Sequence, residues 1–169
     1  MTRKHSKILA TAHIRGEGVK KGLARGLRLI EKSSDQGFIF ARFSLALLYD
    51  SKERSELGIR NEFNSIPLDD VRACVWWLKA SNTETLMATP DAPAPLILAK
   101  ASSCYFYGVG VDRNRLKALM LAKAAKITAS AKKLPMAPFD ATIDMLFKEM
   151  SSDEKQIATK ALKQMEVGK

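Results

Sequence analysis

Two histidines and two cysteines are the chain's whole supply of the residue types that most often act as catalytic bases, thiol nucleophiles or transition-metal ligands. Cys74 and Cys104 have no histidine near them in sequence, so no nucleophile–base pair is outlined, and two cysteines do not complete a zinc site. Both fall at apolar positions, which predicts buried free thiols behaving as small hydrophobes. The carboxylate pairs Asp69-Asp70 and Asp153-Glu154 fall where helical patterns begin, a position in which they complement the helix dipole. The phrases Gly16-Glu17-Gly18-Val19 and Gly108-Val109-Gly110-Val111 lack the Lys-Ser or Lys-Thr ending of a phosphate-binding loop and follow helical instead of strand patterns. These residues predict no enzyme, no cofactor and no metal.

Charge is more informative. The net charge is +10, and residues 1–32 hold nine Lys or Arg against Glu17 and Glu31, a net of +7. Lys21, Arg25, Arg28 and Lys32 follow one another at spacings of four, three and four, which places them on one face of a helix. Leu23, Leu27 and Ile30 form the opposing apolar face. A basic stripe of this kind attracts an acidic protein, nucleic acid or an anionic membrane surface, and it equally suits a plain solvated face. Nucleic acid is the weaker reading, because no recognised binding module is present and few aromatics interleave the charges.

The elements that carry these residues repeat. The two glycine phrases each close one apolar helix and open another. The residue three places before the first Gly, His13 or Tyr105, has a counterpart at Tyr49, giving intervals of 36 and 56 residues. His13 therefore stands at a packing position, not that of a general base. A small residue follows the marker by 13 places in the outer units (Gly26, Ala118) and by 24 in the middle one (Ala73), so the middle unit carries an 11-residue insertion. A helix that stops abruptly needs a residue tolerant of positive φ, which assigns Gly16 and Gly108 to helix ends. Small residues at Ala10, Ala46 and Ser102 on first helices, and at Gly26, Ala73 and Ala118 on second helices, let paired backbones approach closely.

Leu9, Ala10, Gly16, Gly18 and Val19 in the first unit, Ala41, Leu45, Ala46, Tyr49, Asp69, Ala73, Trp76, Trp77, Lys79 and Ala80 in the second, and Tyr105, Gly108, Gly110, Val111, Ala118 and Ala125 in the third resemble the Sel-one-like repeat. This two-helix solenoid unit is related to the tetratricopeptide repeat. The second unit lacks the glycine turn and the third lacks the aromatic pair. The resemblance implies an all-α, right-handed α-solenoid of about three two-helix repeats with a two-helix C-terminal cap, in a single domain. Repeats are expected at about 5–37, 38–81 with an insertion at 51–66, and 96–130, with capping helices at about 138–167.

It further implies a non-enzymatic adaptor or scaffold, bacterial in origin, that presents its first helices to another protein. On those helices Arg15, Arg42, Asp50, Lys100, Ser103, Phe106 and Tyr107 lie outside the packing pattern. Together with the stripe Lys21, Arg25, Arg28 and Lys32 they form the expected partner-binding set. Two other uses fit the same architecture, an immunity protein that neutralises a cognate toxin and a basic nucleic-acid-binding regulator.

The remaining segments are predicted from local chemistry. Ser51 to Pro67 mixes charged residues with Leu57, Ile59, Phe63 and Ile66, as a long loop or partly helical insertion would. Pro90, Pro93 and Pro95 interrupt any helix and lead into the third unit. Ile143, Leu146, Phe147 and Met150 recur at helical spacing, as do Ile157, Ala161, Leu162 and Met165. Ser151 with Glu154 reads as a capping box for the second of these helices. Met136, Met145, Met150 and Met165 follow the apolar stripes and are assigned to core packing. No apolar run is long enough to span a membrane. The stretch after the basic residues Arg3, Lys4 and Lys7 is too short and polar for a secretory signal, which gives a cytoplasmic expectation.

Overall fold

A computed structural model describes residues 22–56 and 65–167. These residues form nine helices and no strand, so the all-α class holds. The helices are α1 (Leu23–Asp35), α2 (Ile39–Tyr49), α3 (Ser51–Glu56), α4 (Asp70–Ala80), α5 (Thr83–Met87), α6 (Ala94–Tyr107), α7 (Arg115–Ala131), α8 (Ala137–Glu149) and α9 (Ser152–Val167). The chain divides into two compact units, Met1–Ala92 and Pro93–Lys169. The first glycine phrase, both histidines, Arg15 and Lys21 lie outside the described residues.

In the first unit α1 ends through Gly37, whose φ of 83° is open to glycine at little cost. The Phe38 N–H reaches Ser33 O and the Gly37 N–H reaches Ser34 O, closing the last turn. The core of this unit forms where α2 meets α4. Ala46 and Ala73 are both buried, as the small-residue register requires, and Leu45 and Trp77 fill the space beside them. Trp77 is 1% exposed and meets the Phe43 ring edge-on at 5.7 Å. Removing an aromatic so enclosed typically costs about 3–5 kcal/mol.

Among the described residues of the insertion, Ser51–Glu56 form α3. Arg54 is buried and donates from one guanidinium nitrogen to both Leu48 O at 3.2 Å and Ile66 O at 2.7 Å. One side chain thus fastens both ends of the insertion to the repeat. Helix α4 opens on Asp69, whose carboxylate accepts from the Arg72 N–H at 3.0 Å, while Asp70 accepts from Ser51 N and Oγ. Both carboxylates act at a helix start, as their position predicts.

In the second unit α6 and α7 form a hairpin. Gly108 closes α6 in the left-handed conformation, at φ 72° and ψ 33°, and its N–H bonds Cys104 O at 2.9 Å. Ser102 is buried at the α6–α7 contact and donates to Ala118 O at 2.7 Å, which only a small residue can do at so close an approach. Asn114 caps α7 by accepting from the Lys117 N–H at 2.8 Å.

Helices α8 and α9 cover the hairpin. Leu146, Met150 and Ala158 are buried with Phe106, Leu119 and Ala122, and Ile143, Phe147 and Leu162 pack against the same cluster. Ser151 and Glu154 form the expected capping box: Ser151 N donates to Glu154 Oε2 at 2.8 Å, and Glu154 N donates to Ser151 Oγ at 3.2 Å. Of the predicted stripe the Met165 side chain lies outside the described residues, and one described member departs. Ile157 is 57% exposed, because α9 rests on its neighbour Ala158, so Ala158, Ala161 and Leu162 carry the packing. The methionines divide as well: Met150 is buried, Met136 half-buried and Met145 exposed.

Candidate partner-binding surface

Three of the four stripe residues, Arg25, Arg28 and Lys32, lie on α1, and Lys21 is outside the described residues. Arg25, Arg28 and Lys32 are all exposed, separated by the three- and four-residue steps that keep them on one face, while Gly26 is buried. No acidic residue occupies the first turn of this helix.

The first-helix positions separate into two groups. On α6, Lys100, Ser103 and Tyr107 follow at steps of three and four, which aligns them along one side of the helix. Ser103 is exposed, Lys100 is half-buried and Tyr107 is 65% exposed. Leu98, Ser102 and Phe106, at successive steps of four, all turn inward. The Phe106 and Tyr107 rings meet edge-on at 4.8 Å, so the buried ring braces the exposed one.

Phe106, Asp50 and Arg42 depart from the solvent-facing expectation. Phe106 belongs to the core of the second unit, and Arg113 stacks over its ring at 5.3 Å. Asp50 is buried at the end of α2, where Oδ2 accepts from Trp77 Nε1 at 2.9 Å and Oδ1 from the Glu53 N–H at 2.9 Å. It orients the central tryptophan and caps α3. Arg42 is half-buried and donates from Nε to Ser34 O at 3.2 Å and from a terminal nitrogen to Lys79 O at 2.9 Å. It satisfies carbonyls at the ends of α1 and α4 that their own helices leave open. Sequence signals for these roles exist: Asp50 precedes Glu53 by three residues, as an N-cap would, and Phe106 follows the inward Ser102 by four.

The cysteines also depart from expectation. Neither is a free thiol; both are disulfide-bonded. No helix among the described residues is long and apolar enough to cross a membrane. A shallow hollow of about 450 Å³ is lined by Lys155, Gln156, Thr159, Lys160 and Lys163. All five come from α9, so they form a cationic face and not a pocket built from several elements.

The Sel1 repeat model matches residues 8–38, 56–82 and 97–126, just over half of the chain. The chain belongs to the Sel1 repeat family. Among solved structures, a Sel1 repeat protein from Oxalobacter formigenes is similar over 88% of this chain and 50% of its own, at 20% identity and a TM-score of 0.57. The present chain thus spans half the length of that protein, and at this identity the likeness concerns fold alone. A protective antigen of uropathogenic Escherichia coli displaying an SLR fold is similar over 93% of this chain and 36% of its own, at 18% identity and a TM-score of 0.41. No curated protein matches the sequence. The Sel1 repeats make this a helical-repeat protein of the kind that serves protein–protein interaction. The α1 stripe and the α6 line both lie on repeat helices.

Proposed function

We propose that the protein is a non-enzymatic adaptor that binds another protein through the exposed line of α6, with the α1 stripe favouring acidic partners. The observation that carries this reading is Tyr107, a large amphipathic ring left 65% exposed on a helix whose neighbouring aromatic is buried. A tyrosine held by packing from below loses little conformational freedom on binding and supplies a large contact area, the character of an interface anchor. Arg25, Arg28 and Lys32 act at longer range, accelerating encounter with negatively charged surfaces.

The test is a pull-down from native lysate with wild-type protein and with Tyr107→Ala, followed by surface plasmon resonance against the protein recovered. The Tyr107→Ala variant should retain wild-type helicity and dissociate about tenfold faster or more. Arg25→Glu with Arg28→Glu should slow association and flatten its salt dependence without changing dissociation. Wild-type dissociation from Tyr107→Ala overturns the assignment of α6. Strongly salt-dependent binding to nonspecific DNA, with no protein recovered, favours a nucleic-acid role instead.

A further inference from the structure

The contact between the C-terminal helices and the third repeat has a consistent polarity. Its centre is apolar, with Phe106, Leu119 and Ala122 of the hairpin against Leu146, Met150 and Ala158 of the cap. Its rim holds three ion pairs, and in each the cation belongs to the hairpin and the anion to the cap. Arg113 faces Glu149 at 3.8 Å, Arg115 faces Glu154 at 3.5 Å, and Lys126 bonds Asp140. The hairpin therefore recognises an apolar helix stripe bordered by carboxylates.

The cap meets that demand incompletely. Arg115 Nε is buried without a hydrogen-bond partner. Glu154 is divided between two tasks, since Oε2 accepts from the Ser151 N–H while only Oε1 reaches the Arg115 guanidinium, at the long limit of a hydrogen bond. A guanidinium suits a carboxylate that engages two of its nitrogens together. A carboxylate with no helix of its own to cap would satisfy Arg115 more fully. Helix α9 is lightly seated as well: of its described side chains only Ala158 is buried, and Ile157 faces solvent.

We propose that the hairpin face beneath α8 and α9 is a docking site for an acidic amphipathic helix of a partner protein, and that α8 and α9 are a displaceable cap occupying it meanwhile. The incoming helix replaces the Leu146 and Met150 contacts with its own apolar stripe and exchanges carboxylate for carboxylate at Arg113, Arg115 and Lys126. Binding in this manner follows the helix-in-groove mode. The site uses Phe106, which also braces Tyr107, but it does not use Tyr107 itself and does not rest on the adaptor reading.

The experiment uses the full chain and a fluorescein-labelled synthetic peptide of residues 137–167 as the probe. Amide exchange in the wild type should be at least about tenfold faster across α8 and α9 than across α7, because the cap opens without the hairpin unfolding. In the Asp140→Asn, Glu149→Gln, Glu154→Gln variant the rim charges are lost while the 154 side chain can still accept from Ser151. Fluorescence anisotropy should show this variant binding the peptide about tenfold more tightly than wild type does, as a larger open fraction requires. Adding Arg115→Glu, or replacing Asp140, Glu149 and Glu154 of the peptide by lysine, should abolish capture.

Equal exchange rates in cap and α7 overturn the proposal, as does a folded triple variant that fails to bind the peptide. Undiminished capture of the lysine-bearing peptide overturns the acidic requirement. Should the triple variant not fold, the wild-type exchange comparison decides alone.

Discussion

Replacing Asp50 by alanine tests whether the first unit is organised as described. The substitution removes a buried carboxylate that accepts from Trp77 Nε1 and from the Glu53 N–H, each at 2.9 Å. Trp77 is 1% exposed, so its indole N–H has no access to water as a substitute. Stranding a buried donor costs about 1–3 kcal/mol, and losing an N-cap costs about 1 kcal/mol more. The expected loss is therefore about 2–4 kcal/mol, which for a chain of this size lowers Tm by about 4–16 °C. Thermal unfolding followed by circular dichroism reads the shift directly. A cycle with Trp77→Phe, which removes the donor and keeps most of the ring, separates the pair from the general cost of each change. The two substitutions should be non-additive by about 1 kcal/mol or more. A Tm for Asp50→Ala within about 2 °C of wild type, or additivity within about 0.5 kcal/mol, refutes the assignment of Asp50 to the interior.

Gly108→Val places a branched side chain at φ 72° and its Cβ 3.4 Å from Arg113 Cβ, so stability should fall by about 2–3 kcal/mol, measured by urea denaturation. An unchanged midpoint would show that α6 does not end in the left-handed turn. Glu154 supplies a pH test: the Ser151 N–H first, and the Arg115 charge with it, hold its carboxyl below the ordinary glutamate value. The unfolded chain therefore binds the proton first as pH drops below about 4.3, and the stability this group contributes is complete above that value and lost as pH falls through the lowered one. Tm should decline more steeply between about pH 5 and 3 in wild type than in Glu154→Gln, and parallel curves would exclude the effect.

How much of this was legible follows from the range of the forces involved. Gly108, Asp69 and Ser151 with Glu154 act within one helical turn, and short-range chemistry suffices to place helix ends. The pairs Ala46 with Ala73 and Ser102 with Ala118 were readable because the repeat fixes which helices meet. Asp50, Phe106 and Arg42 were misread as surface residues because the repeat pattern describes the average unit. Here the insertion after Asp50 supplies a new helix to cap, and the cap supplies a new cover for Phe106. Arg42 reaches 37 residues along the chain to Lys79 O, a contact that no local spacing announces. The bonded state of Cys74 and Cys104 was equally hidden, since an apolar sequence position suits a thiol and a disulfide alike.

The buried Arg54 has a consequence for how this protein can change. By holding Leu48 O and Ile66 O with one guanidinium nitrogen, it fixes the distance between the two points where the repeat is interrupted. The Asp69 N–H, bonded to Tyr49 O at 3.0 Å, reinforces the same closure. Once those ends are joined, lengthening the chain between them adds little entropy cost, about 0.6 kcal/mol for each doubling. A change of chain length between the two joined ends therefore leaves the register of the helices on either side intact. The interruption works as a graft point, open to evolutionary experiment and to an engineer inserting an epitope or a fluorophore, provided that Arg54 is left in place.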